Sequence, residues 1–583
     1  MTGEPRGRTS RRRAPDHDAS PRGTARAAGR PSSGSRRLAT WATGAAGRLA
    51  SVRPLYVLAP LVLVQWAVTA RLASTAQHDG WLFYHGGDGT YYWTTTWSLA
   101  HHQLPATVIS YGLPVVLWPI GLLAGPNILV GLPTVIVLQV LVLAPVGVLV
   151  MYALGARIGG RLFGYLAVAG WIAAPLVAIW FVNGGDTATP PPDLRNLLVP
   201  NALGLTPLGD YASMILALVA IWLVVRALDD RRWNDVIFGS LATGALIAIK
   251  PSNAYVLLAP LVGFAGARRW REGLAFAALL VPPLVTLAVW KQVGLGRIPI
   301  ASPEPVALAA GSNSLPSPEG LHRYFVFDWD TLSNNIEVLR EESRFFWALA
   351  VITIAGIVGL IRRAPLPGIT IATWFLTYLL FKGGAKDRAS VDSTSFFRLV
   401  MPAFPAFVLT ALSVVFLNPR IARRAYTAVA SSPPTLAAVA VAAVVLVYPL
   451  VVVATATPWS EGKIVSDHPS NVLVPVSGKL EPHVRVRPDA VLLSWRPVGG
   501  PTKVFYRVLR SGRLGCLYVS TSGSRDCEID MTTAGFTRHT KYVDRWPPSG
   551  GNTYRIGVYA GWTGRLRDAD LLLVGPPVTV EVS

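Results

Sequence analysis

The stretch Phe83–Trp93, reading FYHGGDGTYYW and running on to His101-His102-Gln103-Leu104-Pro105, holds the first groups able to do chemistry. It carries one carboxylate, Asp88, between Gly87 and Gly89, with Tyr91 and Tyr92 after it and a histidine pair beyond. Glycines on both sides let the backbone bend and a ligand come close. Asp88 is therefore read as the reactive group, with the neighbouring aromatics and His101 placed to line a substrate. His101 and His102 suit a surface better than a metal. Asp79 lies nine residues before Asp88, and Asp186, Asp193 and Asp210 follow later. Their spacing defines no metal set, so a divalent ion is neither indicated nor excluded, and no cofactor is read from the chain.

The elements that must position Asp88 follow from composition. The chain has 583 residues, 51% hydrophobic and 15% charged, with mean hydropathy +0.42, which predicts a polytopic membrane protein with soluble parts. The net charge of +21 is local in origin: residues 1–53 hold twelve Arg against Glu4, Asp16 and Asp18. Residues 1–50 read as a disordered, basic cytoplasmic tail. No basic patch is interleaved with stacking aromatics, which argues against nucleic acid as a partner. Arg outnumbers Lys by 45 to 8, as expected of a GC-rich genome.

Eleven apolar segments are expected to span the bilayer: about 55–73, 128–154, 162–182, 211–228, 236–249, 253–265, 274–293, 345–361, 366–381, 399–417 and 435–456. Residues 108–123 look like a twelfth. Counting them would put Arg157/Arg161, Arg226/Arg231/Arg232, Arg268/Arg269/Arg271, Arg362/Arg363 and Arg420/Arg423/Arg424 outside, against the positive-inside rule. This stretch, with Pro114, Trp118 and Pro119, is therefore assigned to an interfacial helix. The membrane domain is 51–456, with outer loops 74–127, 183–210, 294–344 and 382–397. Loops of that length usually carry function.

Residues 460–583 read as an extracytoplasmic all-β sandwich. Ala490–Trp495, Lys503–Val508, Thr553–Tyr559 and Val578–Val582 are β-rich runs parted by Gly/Pro/Ser turns. Their order resembles fibronectin type III domains. The only cysteines, Cys516 and Cys527, lie here. Outside the cytoplasm a disulfide is the natural reading, and two separate thiols the alternative.

An acid in the first outer loop, followed by Tyr91, Tyr92, Ala100, Gln103, Pro105, Tyr111 and Pro114, resembles the GT-C-type glycosyltransferases. These include protein O-mannosyltransferases, aminoarabinose transferases and many bacterial envelope enzymes. Gly239–Pro251 with Lys250 is similar to the family's paired short helices, and Phe397–Pro405 with Arg398 to its segment near the last spans. The resemblance covers about residues 50–456. It implies a bacterial plasma-membrane enzyme with Asp88 as general base. The donor would be a sugar on a polyprenyl phosphate, and the acceptor an extracytoplasmic glycan, lipid or protein of the envelope. Tyr91, Tyr92, His101 and Tyr111 would line the acceptor or sugar. Arg398, Lys250, Lys382, Lys386 and Arg388 would face the donor phosphate, where an arginine fork is well suited. Many relatives pair their first-loop acid with a second; Asp88 has glycine neighbours instead. The competing expectations are a transporter or flippase for a lipid-linked glycan, and a catalytically silent envelope scaffold. Convergence of Asp88, Arg398 and Lys250 on one place separates them.

Overall fold

A computed structural model describes residues 51–73, 88–100, 102–104, 109–124, 134–181, 199–295, 327–342, 345–384, 398, 400–419, 432–458, 479–488 and 490–498. It further describes 504–511, 517–518, 525–526, 531–545, 547, 550–560 and 571–582. His101, Lys386, Arg388, Cys516 and Cys527 lie outside the described residues, as do the side chains of Asp88 and Tyr91.

The helices follow the apolar runs, because a segment in hydrocarbon must satisfy its own backbone groups. In chain order they are α1 (Pro54–Ala73), α2 (Asp88–Ala100), α3 (Gly112–Ala124), α4 (Thr134–Gly159, with a π-helical stretch at Leu138–Leu143) and α5 (Arg161–Phe181). Next are α6 (Val199–Ala202), α7 (Gly209–Asp230), α8 (Trp233–Ile249) and α9 (Leu258–Gly266). Then come α10 (Trp270–Ala278), α11 (Val281–Leu295), α12 (Trp329–Glu342), α13 (Phe346–Arg363), α14 (Pro365–Gly383), α15 (Phe404–Leu412) and α16 (Leu436–Thr455). The expected spans are mostly helical in their described parts, with a turn at Leu279–Leu280 inside 274–293.

Among the described residues, six helical stretches can cross a membrane by length and composition: Pro54–Arg71, Thr134–Gly159, Gly209–Asp230, Trp270–Gln292, Phe346–Arg363 and Leu436–Thr455. Others, such as Arg161–Val177, Trp233–Ile249 and Met401–Leu417, are apolar but shorter. The protein is thus a helix-rich, multi-pass membrane type. Its centre is α7, 78% buried, whereas the spans in α1 and α16 are each 17% buried. A helix apolar all round and buried is a core helix; α1 and α16 turn apolar faces outward, as a lipid contact requires.

Within the stretch expected to be interfacial, Gly112–Ala124 form α3, a short helix packed along α2. Its entry is fastened three times. The Ile109 carbonyl accepts from Trp290 Nε1 (3.1 Å) and Lys291 Nζ (2.6 Å), and Tyr111 Oη donates to the Pro283 carbonyl (3.1 Å). Gly112 then sits against Ala248 and Ile249. A Cβ there would stand 2.5 Å from the Ile249 nitrogen, so only glycine permits the approach.

β1 (Gln103–Leu104) pairs in parallel with β2 (Thr457–Pro458), joining the first loop to the chain leaving α16. Beyond it lie β3 (His483–Arg487), β4 (Ala490–Ser494), β5 (Val504–Ser511), β6 (Leu517–Tyr518), β7 (Arg525–Asp526) and β8 (Met531–Thr537). β9 (Lys541–Asp544), β10 (Gly550–Ala560), β11 (Leu571–Val574) and β12 (Val578–Val582) complete the set. One sheet has the order β3-β4-β9; the other is β11-β10-β5-β8, with β12 also on β10. Val491, Leu493 and Trp495 from the first meet Tyr506, Val508, Tyr554, Ile556 and Val558 from the second in one core. That is a two-sheet sandwich. β6 and β7 form a separate hairpin.

Candidate functional site

The site is built on the first turn of α7. Gly209 opens the helix and Asp210 follows, where a carboxylate suits the positive end of the helix dipole. The Asp210 carboxylate is 1% exposed. A lone charge there would be costly, so partners must come from elsewhere.

Two cations supply them. Lys250, 40 residues on, pairs with Oδ1. Arg398, 188 residues on, places Nε 3.0 Å from Oδ2. Each position has a local cause. Pro251 stops α8, and the residue before a proline is pushed to extended geometry; Lys250 has φ −140 and ψ 111. The Lys250 carbonyl accepts from Asn253 N, starting a 3-10 turn instead of more helix. Arg398 stands just ahead of the Met401–Ala403 turn, which packs on α7.

A third amine is close. Lys382 was expected in the 382–397 loop, but it belongs to the last turn of α14 and is 1% exposed. Its Nζ lies 5.3 Å over the Tyr255 ring and feels the charges of both Lys250 and Asp210. Tyr255 and Tyr378 meet edge to face, and Tyr378 Oη donates to Asn253 (3.3 Å).

A buried amide chain fixes the carboxylate from the other side. Asn201 Nδ2 donates to Asp210 Oδ2 (3.3 Å), Thr206 Oγ1 to Asn201 Oδ1 (2.8 Å), and Gln139 Nε2 to the Thr206 carbonyl (2.9 Å). Gln139 comes from the π-helical stretch of α4, a distortion often found at functional places.

Asp88 is the first residue of α2. Tyr92, one turn later and on the same stripe, is buried, and its hydroxyl donates to the Ile249 carbonyl (3.4 Å). The same hydroxyl lies 3.1 Å from where a Gly209 Cβ would be. So α2 docks beside the residues preceding Lys250 and Asp210, and position 88 stands one helical turn from that contact.

Among the sequence candidates, Lys250, Arg398 and Lys382 gather here, and Tyr92 of α2 reaches the neighbouring Ile249 and Gly209. Tyr111 does not line an open site. It is buried against Trp290 (centroids 6.2 Å), and burial pushes its hydroxyl pKa far up, which marks it as a fastening. The sequence reading left Asp210 among three second-loop acids without a role. The usable signal was an acid in the first turn of an apolar helix, where ionisable groups are rarely idle. Among the described residues no cluster of three His, Cys, Asp or Glu could hold a metal.

The fold and this geometry define the class: a multi-pass, helix-rich membrane protein with a buried cluster in which Lys250 and Arg398 meet on Asp210. No family model and no curated protein matches the chain. Among solved structures it is similar to the Archaeoglobus fulgidus oligosaccharyltransferase in its apo form. Identity is 16% and TM-score 0.37, over 69% of this chain and 55% of that one. It is also similar to the archaeal oligosaccharyltransferase AglB from Archaeoglobus fulgidus, in complex with an inhibitory peptide and a dolichol-phosphate. There identity is 15% and TM-score 0.36, over 72% and 57%. The chain spans a little over half the length of these proteins. These likenesses are too distant to carry a conclusion about its chemistry.

Proposed function

We propose that the protein is a GT-C-type membrane glycosyltransferase, moving a sugar from a polyprenyl-phosphate donor to an acceptor of the bacterial cell envelope. One observation carries the reading: Lys250 and Arg398, far apart in sequence, meet on the buried Asp210 with Lys382 beside them. Lys250 and Arg398 thereby gather basic groups in a site largely shut from water. An anion entering there meets fixed partners at little reorganisation cost.

In this reading Asp88 removes the proton from an acceptor hydroxyl. The freed oxygen attacks the anomeric carbon and forms the new glycosidic bond. The bond from that carbon to the phosphate oxygen breaks, and its electron pair leaves with the lipid phosphate. The phosphate gains one negative charge in the step, so Lys250 and Arg398 stabilise the transition state more than the donor. The acid needs no nucleophilic partner in a single inverting displacement.

The proposed topology has eleven crossings, a cytoplasmic N-terminus, and the cation cluster and β-sandwich outside, the latter of fibronectin type. A cysteine placed at 157 should be labelled only from the cytoplasmic side; labelling from outside would overturn the orientation. The chemistry is tested with defined polyprenyl-phosphate sugars. Asp88→Asn should fold and bind donor as the parent does, and turnover should fall by roughly two to four orders of magnitude. Unchanged turnover would remove Asp88 from the mechanism.

A further inference from the structure

The β3-β4-β9 sheet has a second face, turned away from the core. Val491 and Leu493 point inward with Tyr542 and Asp544. Alternation along each strand sends the intervening residues outward. The register sets them in rows: His483, Ser494 and Lys541; then Arg485, Leu492 and Val543. Arg487 is paired with Ala490, and Arg545 follows the inward Asp544.

His483, Arg485, Arg487, Lys541, Val543 and Arg545 are all exposed. The cations therefore stand on the two outer strands, about 10 Å apart across β4 and about 7 Å apart along β3. Between them β4 offers only Ser494, Leu492 and Ala490. The result is a trough one strand wide, with long cationic walls and an apolar middle.

Among the described residues the nearby acids do not balance it. Glu481 pairs with Arg496 (2.9 Å). Asp544 faces inward, bound to Arg510 (2.6 Å) and Tyr554 (2.8 Å). Like charges collected on one sheet face repel, whereas ordinary surfaces intersperse both signs. A mobile counter-ion cloud relieves such repulsion weakly; a bound polyanion relieves it directly.

We propose that this face binds a linear anionic glycan, a chain of sugar rings bearing carboxylate or phosphate groups, laid along β4. The ring faces rest on Leu492 and Val543, and the anions reach Arg485 and Arg487 on one side and Lys541 and Arg545 on the other. Arginine forks match carboxylate and phosphate geometry. A bilayer surface is the competing occupant, but a flat plane would touch the walls and miss the floor. The binding stands apart from the transfer chemistry and needs neither donor nor Asp88.

Lys541 provides a local reporter. The full-length protein in zwitterionic nanodiscs is mixed with trigalacturonate, three linked rings with one carboxylate each. Carbodiimide couples a bound carboxylate to a neighbouring amine, and peptide mass spectrometry locates the product. Lys541 should couple about tenfold more than Lys479, an exposed lysine off the trough, as expected for a charge-assisted contact over chance encounter. Arg485→Gln with Arg487→Gln should abolish that preference, while Asp88→Asn should keep it. The single substitution Arg487→Gln, less demanding of the fold, should reduce it in part. Equal coupling of Lys541 and Lys479 in the parent protein would overturn the proposal. So would a preference unchanged in both arginine variants. If phosphatidylglycerol vesicles shield Lys541 from a small carbodiimide-coupled carboxylate while trigalacturonate never couples, the face is a lipid contact and the glycan proposal is wrong.

Discussion

The two ends of α7 carry opposite solutions to the same problem. At its start, one carboxylate, Asp210, holds two cations and is almost wholly buried. At its finish, about 33 Å away, acids are in supply: Asp229 and Asp230 share Arg157, and Asp235 pairs with Arg226 (3.1 Å). Arg157 meets Asp230 with a two-pronged fork, at 2.7 and 2.9 Å. Arg363 donates to the Ile158 carbonyl (3.1 Å) and Arg269 to that of Ala227 (2.5 Å), so this end also ties helix termini together. The far end matches arginines with acids, its paired side chains 5–24% exposed, and acts as a clamp. The near end, among the described residues, gathers two basic side chains on one carboxylate in a more deeply buried setting, with Asp210 1% exposed.

The largest effect should come from the buried carboxylate. Asp210→Ala leaves Lys250 and Arg398 without their shared anion and should cost about 3–5 kcal/mol, the usual result of removing one member of a buried pair. Thermal unfolding in nanodiscs measures it. An added polyprenyl phosphate should restore part of the loss by supplying the missing charge. A variant as stable as the parent would break the contrast between the ends.

Next comes the matched pair Arg398→Ala and Arg157→Ala. Arg398→Ala leaves Lys250 and Asp210 to neutralise each other, so the protein should fold. Donor binding should weaken about ten- to a hundredfold through loss of a charged hydrogen bond. Arg157→Ala should lower the unfolding temperature and leave donor affinity alone. Binding titrations on both would sharpen the comparison; equal donor affinities would move the phosphate site away from Arg398.

The smallest effect belongs to Asp230→Asn. Its carboxylate is 23% exposed and Asp229 remains on Arg157, so about 1 kcal/mol or less is expected. That difference should shrink as salt rises to about 1 M, because a partly exposed pair is screened more than a buried one. A salt-insensitive loss would mean that the far end is as dry as the near one.

Much of this arrangement was legible in the residues. The runs that became α1, α7, α13 and α16 are continuously apolar, and such runs are helical wherever the backbone must satisfy itself. Pro251 dictated the break that presents Lys250, and the position of Gly209-Asp210 ahead of an apolar run dictated an acid in a first helical turn. The strand runs around Ala490–Ser494 and Val504–Ser511 announced a sandwich by their alternation. Lys250 and Arg398 were also legible as cations placed next to helix ends.

What the residues could not reveal is that Lys250 and Arg398 share one anion, or that the anion is Asp210. Nor did they show Lys382 buried in a helix, or α3 fastened by Trp290 and Lys291 to the carbonyl of Ile109. Helix and strand propensity is set by neighbours a few positions apart, which sequence displays directly. An ion pair spanning 40 or 188 residues exists only after helix packing has removed water from both partners and left no cheaper counter-ion. Sequence therefore determined which groups were charged and where most helices lay; packing alone decided which charges had to answer one another.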